Sequence, residues 1–170
     1  MNLELIKEGD AQELFDLTEM NRANLRKWLP WVDHVKIVSD TEKFIATSIT
    51  AYQSKTTMTF TIRDAGELVG VCGFNKFDWE TKVGEIGYWL GEGFQGRGLM
   101  TKACTRLEEM AFKELGLEAI HLLIAEFNRP SRALAERLSY TEVNKIPEAE
   151  WLYDHHVDYI LYEKKTTISN

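Results

Sequence analysis

The chain has 170 residues, of which 44% are hydrophobic and 28% are charged, and its formal net charge at pH 7 is −7. This length and composition predict a single domain over residues 1–170 with its own core. The negative charge argues against direct nucleic-acid binding, which normally needs a basic face, and it leaves room for a cationic substrate.

The hydropathy pattern does not indicate a membrane protein. No apolar run approaches ~20 residues, so we expect no membrane span. The first residues, MNLELIKEGD, lack a basic segment followed by an apolar one, so we expect no signal peptide. Cys72 and Cys104 form no metal-type or redox-type spacing, and both are expected to be small core residues. A reducing cytoplasm fits these features.

The first third of the chain predicts one strand and two helices. Residues 3–8 alternate between apolar and polar types, as a short strand does. Asp10 with Glu13 three residues later is a capping-box pattern, and apolar residues follow it at helical spacing. The segment SDTE at residues 39–42 repeats this signal before a second amphipathic helix.

In the middle and at the end of the chain the spacing of apolar residues changes from helical to strand-like, which predicts a mixed sheet. The segments TMTFTIRD, LVGVCGFNKF and VGEIGYWL are strand-like and are joined by short turns, which favours an antiparallel meander. Helices are predicted after Gly98 and around Pro130, a strand between them at 119–125, and two further strands near 142–146 and 157–163. The strand ending at Leu90 and the strand at 119–125 flank a helix, so they should be parallel. The order β-α-α-β-β-β-α-β-α-β-β is an α/β (α+β) arrangement.

The segment GEGFQGRGLMT places four glycines between a strand and a helix. Glycine costs backbone entropy, so stability alone does not explain this density. A helix N-terminus has unpaired N–H groups at its positive end, and a turn without β-carbons adds more of them. With Arg97 or Lys102 as a nearby cation, the segment suits a pyrophosphate. A plain flexible loop is the alternative.

Two segments resemble the cofactor motifs of the GCN5-related N-acetyltransferase (GNAT) superfamily. Residues 95–100, QGRGLM, resemble the acetyl-CoA motif Q/R-x-x-G-x-G/A, with Met100 in place of the final small residue. The segment NRPSRALAERLSY resembles the second motif. LRKWLPWVD and GEIGYWL resemble the RimJ/RimL-type branch, which acetylates the N-termini of ribosomal proteins. The resemblance covers nearly the whole chain and its element order.

The resemblance implies a GNAT fold, with a mixed sheet of about seven strands in which two parallel strands splay apart around the pantetheine arm of acetyl-CoA. The Leu90 N–H would polarise the thioester carbonyl, and Ser131 would protonate the departing thiolate. The other residues assigned to the cofactor are Gln95, Gly96, Arg97, Gly98, Leu99 and Met100 through their backbone N–H groups, the hydroxyl of Thr101, and Asn128. Ordinary helix N-terminal roles remain open for Thr101, Asn128 and Ser131.

The attacking amine must be neutral, and this requirement bears on the acceptor. An α-amino group has a pKa of about 7.7–8.0 and a lysine about 10.4, so deprotonation at pH 7 costs about 1 and about 4.6 kcal/mol respectively. A modest base therefore suffices for a protein N-terminus. Glu85 is the leading candidate, because aromatic neighbours on its strand should raise its pKa. Glu126, a water relay and a purely structural Glu85 are the alternatives.

Tryptophans are the expected lining of the acceptor cleft. Trp28, Trp31 and Trp151 are assigned to it, with a helix-end packing cluster as the alternative. For Trp79, a homodimer contact and a surface patch are both open. Three functions follow: an acetyl-CoA-dependent acetyltransferase for a protein N-terminal α-amine, possibly ribosomal; an acetyltransferase for a small amine such as a polyamine, amino acid or aminoglycoside; and a non-catalytic acyl-CoA-binding module.

Overall fold

A computed structural model describes residues 1–166, and its element order is the predicted one. The strands are β1 Asn2–Leu5, β2 Met58–Asp64, β3 Glu67–Asp78, β4 Val83–Leu90, β5 Ala119–Ala125, β6 Thr141–Leu152 and β7 His155–Lys165. The helices are α1 Ala11–Leu25, α2 Val38–Gln53, α3 Leu99–Glu109 and α4 Arg129–Arg137. α3 continues into a π-helical turn, Met110–Glu114.

The strands form one seven-stranded sheet in the order β1-β2-β3-β4-β5-β7-β6. β4 and β5 pair in parallel, and every other neighbouring pair is antiparallel. The predicted meander and the predicted parallel pair are both confirmed. A parallel pair needs a crossover element, and the glycine loop with α3 supplies it.

Helices cover both faces of the sheet, and β4 contributes a different set of side chains to each face. Ile86 and Leu90 are buried in a cluster with side chains of α3 and α4. Trp89 packs against the smaller cluster under α1 and α2. Because alternate residues of a strand face opposite ways, Glu85 and Gly87 share the α1/α2 face with Trp89.

Several boundaries differ from the prediction, and the first strand ends at Leu5 rather than at residue 8. The second helix begins at Val38 rather than after Ser39, because the Asp40 carboxylate accepts hydrogen bonds from the N–H groups of Lys36 and Ile37. The last two strands are longer than predicted and form a hairpin whose turn is Tyr153 and Asp154. The polar residues of β6 obscure its strand character, since this edge strand is mostly exposed.

Several side chains have structural roles. Cys72 and Cys104 are buried in the core, and burial raises the pKa of the Cys72 thiol to about 12. The Trp79 indole donates to the Lys55 carbonyl at 2.9 Å and its ring stacks on Phe77. Across residues 1–166, no helix combines the length and apolar character of a membrane span, and no cluster of metal-binding side chains occurs.

Candidate active site

The two central strands separate after three residue pairs. Parallel pairing joins residues 83–85 of β4 to residues 119–121 of β5 and goes no further. Beyond this point β4 stays paired to β3 as far as Leu90, and β5 stays paired to β7 as far as Ala125. A V-shaped gap therefore opens between two otherwise regular strands.

The β4 backbone presents hydrogen-bonding groups to this gap. The N–H of Gly91 bonds the Val69 carbonyl on β3 at 2.9 Å. Successive residues of a strand direct their backbone groups to opposite sides. The N–H groups of Tyr88 and Leu90 therefore point toward β5, beyond the last parallel pair. The Leu90 N–H faces the gap at the end nearest the glycine loop.

The loop before α3 carries a row of free backbone donors. The first helical hydrogen bond runs from the Lys102 N–H to the Gly98 carbonyl at 3.1 Å, and the N–H groups of residues 96–101 have no acceptor within the described chain. Gly96 and Gly98 have φ values of 73° and 74°, which favour glycine. Apart from the adjacent residues of the chain, no atom of residues 1–166 lies within 4 Å of the position that a Cβ would take at either glycine. The loop is an open cradle for an anion.

The side chains of the motif are held by the protein around this loop. The Gln95 side-chain amide approaches the Leu90 carbonyl at 3.5 Å, while its backbone N–H bonds a carbonyl of the preceding turn. Gln95 is therefore not one of the free backbone donors. Arg97 forms an ion pair with Asp64 at 2.8 Å. Met100, like its neighbour Leu99, packs into the core, which accommodates its large side chain.

An additional cation lies beside the cradle. Arg137, in the last turn of α4, donates to the Thr101 hydroxyl at 3.2 Å. Its guanidinium has no carboxylate partner within residues 1–166 and stands at the positive end of α3. Arg137 lies 36 residues from Thr101, and no motif spacing identifies it.

The first turn of α4 borders the gap. The Asn128 side chain accepts from the Ser131 N–H at 3.3 Å, so it caps α4, and its NH₂ group is left without a partner in the described chain. The Ser131 hydroxyl is likewise unpaired there. The Tyr88 hydroxyl donates to the Ser131 carbonyl at 3.5 Å, and burial raises the Tyr88 pKa.

A cleft of ≈ 830 Å³ runs from this gap to the α1/α2 side of the sheet. Its lining includes Glu85 from β4, Ser131 from α4 and Glu150 from β6. The Tyr159 hydroxyl donates to Glu150 at 2.7 Å. Burial first, then the hydrogen bond to Glu150, and then the charges of Glu150 and Glu85 raise the Tyr159 pKa. Two carboxylates therefore flank one phenol, and neither forms an ion pair within residues 1–166.

The sequence does not predict that Glu150 lines the cleft, and the structure gives Glu126 a different role from the predicted one of a base. Glu150 follows an irregularity in the pairing of β6 with β7, so strand alternation counted from the start of β6 does not reveal its direction. Glu126 is bound by Lys145 through both carboxylate oxygens, at 2.9 and 3.0 Å, and it is not part of the cleft lining. A carboxylate neutralised in this way is a poor proton acceptor.

The tryptophans divide between the cleft and the surface. Trp28 and Trp31 line the cleft, and the Trp31 ring lies 6.2 Å from that of Trp89, which also lines it. Trp151, in contrast to the prediction, does not line the cleft. It is 55% exposed and meets His156 edge to face at 4.8 Å. Trp151 follows Glu150 in a strand, so the two side chains point to opposite faces.

Arg26 connects the segment after α1 to the turn between β6 and β7, on opposite sides of the cleft. Arg26 makes a two-point ion pair with Asp33, at 2.8 and 2.9 Å, and its guanidinium lies 3.7 Å from the centre of the Tyr153 ring. The Tyr153 hydroxyl donates to the Leu29 carbonyl at 3.3 Å. Tyr153 has a φ of 63°, a strained value for tyrosine. We call Arg26, Asp33 and Tyr153 the latch.

The site fits coenzyme A in three respects. The free N–H row of residues 96–101 suits a pyrophosphate, the unpaired β4 backbone suits the amides of a pantetheine arm, and the gap leads from one to the other. The open space above Gly96 and Gly98 leaves room for phosphate oxygens.

Comparisons with known proteins agree with this geometry. The family model described as the acetyltransferase (GNAT) domain matches residues 1–141. The ribosomal-protein-serine acetyltransferase of Escherichia coli (strain K12) is 28% identical over 164 residues, which cover 96% of this chain and 92% of that protein.

Two solved structures are similar over almost the whole chain. The structure of RimL, a ribosomal L7/L12 alpha-N-protein acetyltransferase in complex with coenzyme A, has a TM-score of 0.93 at 27% identity, covering 96% of this chain and 92% of that one. The microcin C7 self-immunity acetyltransferase MccE, in complex with acetyl-CoA and AMP, has a TM-score of 0.91 at 29% identity, covering 96% and 91%.

Proposed function

The chain belongs to the GNAT acetyltransferase family and is an N-acetyltransferase that uses acetyl-CoA, and from this premise we propose that its acceptor is the N-terminal α-amine of a protein, in particular a ribosomal protein. The observation that carries the proposal is the pair of carboxylates, Glu85 and Glu150, which face one cleft and have no cationic partner among residues 1–166. The RimL-type relatives support the ribosomal assignment. The same proposal places the reaction in the cytoplasm.

Backbone groups position the acyl donor. Acetyl-CoA supplies an activated thioester when it is bound. The free N–H groups of residues 96–101 hold the pyrophosphate, and Arg137 adds a positive charge beside them. The Tyr88 backbone and the Asn128 amide pair with the pantetheine arm. The Leu90 N–H donates to the thioester carbonyl and stabilises the negative charge that develops on its oxygen.

Side chains on the two borders of the gap move the protons. Glu150 or Glu85 attracts the acceptor's ammonium group and takes its proton, directly or through water. The Ser131 hydroxyl on α4 donates to the departing sulfur. An α-amine requires only about 1 kcal/mol for deprotonation at pH 7, against about 4.6 for a lysine. Partly exposed carboxylates are adequate for the first task and weak for the second.

A small amine is the second candidate acceptor. The similarity to MccE, solved with acetyl-CoA and AMP, supports it, as do the aromatic side chains of Trp28, Trp31 and Trp89 along the cleft, which suit a planar group. Both candidates share the chemistry and the catalytic groups and differ in what surrounds the amine.

Mass spectrometry of the products separates these acceptors. The enzyme is incubated with acetyl-CoA and three acceptors: a ribosomal-protein N-terminal peptide, the same peptide with a blocked N-terminus and one lysine, and a panel of small amines. We expect acetylation of the first peptide at its α-amine and none of the blocked peptide. Turnover of small amines alone would replace the proposed acceptor, and acetylation of the lysine would refute the argument from the carboxylates.

A further inference from the structure

A bulge in β3 directs the side chain of Asn75 to the floor of the cleft. Pairing of β3 with β4 joins Phe74 to Ile86 and then Lys76 to Glu85, which leaves Asn75 as an extra residue without a partner on β4. Such a bulge changes the direction of a side chain at the cost of local pairing. Asn75 is exposed, and it lines the cleft beside Glu85.

A glycine on the neighbouring strand makes room for this side chain. A Cβ placed on Gly87 would lie 2.2 Å from the Asn75 Nδ2 atom and 2.8 Å from its Oδ1 atom. The amide therefore rests directly on the Gly87 backbone, and no other residue type fits at Gly87 while the amide stays there. Gly87 lies between Glu85 and Trp89 on the same face of β4, so the amide is at the centre of the acceptor side.

The Asn75 amide has no hydrogen-bond partner among residues 1–166, whereas several other polar side chains of the lining are engaged. In the same lining, Thr18 donates to a helix carbonyl, Asp40 caps α2, and Tyr159 is engaged by Glu150. A primary amide supplies two N–H donors. The floor of the cleft therefore presents a free donor beside the acceptor-type oxygens of Glu85 and Glu150.

This combination matches the chemistry of an α-aminoacyl group. Such a group carries an amine, which the carboxylates attract, and a carbonyl oxygen two bonds from the amine-bearing carbon, which needs a donor. We propose that Asn75 donates a hydrogen bond to the first carbonyl of the acceptor and thereby selects α-aminoacyl acceptors over simple amines. The proposal rests on the α-amine function given above and adds the group that recognises it.

The test compares two acceptors, one with the first peptide bond intact and one in which its carbonyl and its N–H are both absent. One is a short N-terminal peptide, and the other is its alkene isostere, in which the first peptide bond is replaced by a carbon–carbon double bond. The peptide carbonyl also lowers the pKa of the amine, so kcat/KM is expressed per neutral amine for each acceptor. On this basis we expect kcat/KM of the wild type to be about tenfold higher for the peptide, because the peptide accepts one additional hydrogen bond. In Asn75→Ala and Asn75→Asp this ratio should fall to near one, through a loss on the peptide alone.

Gly87→Ala provides a second route to the same result, because the added methyl group displaces the amide while Asn75 is retained. The melting temperature and the Kd for coenzyme A are measured for each variant, and we expect the Kd to stay within about twofold of the wild type. An unchanged ratio in Asn75→Ala, or an equal loss on both acceptors, would overturn the proposal. A wild type that acetylates neither acceptor would overturn the α-amine function first, and the proposal with it.

Discussion

Replacing Gly98 by alanine tests the phosphate cradle, and Gly116 provides a matched control. Both glycines have left-handed φ values, 74° and 67°, and apart from the adjacent residues nothing in the described part of the chain lies within 4 Å of the Cβ position at either. The added methyl group therefore meets no described residue beyond its chain neighbours in either variant. The strain of a left-handed alanine is about 1 kcal/mol at each site, which lowers the melting temperature by about 2–4 °C in a protein of this size.

The two variants should differ in affinity for coenzyme A. The open space at Gly98 adjoins the free N–H groups of residues 96–101, whereas Gly116 lies in an exposed turn before β5. A hydrogen bond to a charged group contributes about 1.5–3 kcal/mol. The loss of one such bond raises Kd by about 10–100-fold, at 1.4 kcal/mol per factor of ten.

Isothermal titration with coenzyme A measures both affinities, and thermal unfolding measures both stabilities. We expect similar losses of stability and a weaker Kd in Gly98→Ala alone. If both variants bind coenzyme A as the wild type does, the pyrophosphate is not held at this loop. If both lose affinity equally, the effect arises from general destabilisation.

Four further substitutions address the rest of the site. Glu85→Gln and Glu150→Gln should each lower kcat/KM by about tenfold or more, with the Kd for coenzyme A unchanged. The loss should be largest at pH 6–7, where the acceptor amine is largely protonated. Wild-type rates in both variants would remove the carboxylates from the mechanism. Arg137→Gln should raise KM for acetyl-CoA a few-fold at constant kcat, and less so in high salt, because a screened cation is removed; a change in kcat alone would contradict this role. Tyr153→Gly relieves the backbone strain at φ 63° and at the same time breaks the latch. We therefore expect little change in melting temperature and a several-fold higher KM for the acceptor. An unchanged KM would show that the latch does not shape the cleft.

The elements and the cofactor side of the site could be predicted because their signals are local. Gly96 and Gly98 stand between a strand and a helix, and the left-handed backbone found there is what glycine permits. The alternation of β4 placed Glu85 opposite to Tyr88, as the two packing clusters bear out. The predicted cap of α2, Ser39, was wrong, because the Asp40 carboxylate accepts from the N–H groups of Lys36 and Ile37 and the helix therefore begins at Val38.

The acceptor side could be predicted only in part, because it depends on contacts between distant segments and on irregular pairing. Glu150 and Trp151 are adjacent in the chain, yet the cleft is lined by the first while the second is exposed. The direction of each follows from a shift in the β6–β7 register that no composition or spacing indicates. Asn75 is likewise directed by a bulge, and Arg26 meets Tyr153 across more than a hundred residues of chain.

A crystal structure with coenzyme A tests the whole arrangement most directly. We predict that the pyrophosphate accepts hydrogen bonds from backbone N–H groups of residues 96–101, and that the sulfur lies between Leu90 of β4 and the end of β5, with Ser131 on one side and Glu150 on the other. A nucleotide bound elsewhere on the protein, or a sulfur directed away from the gap between β4 and β5, would contradict it.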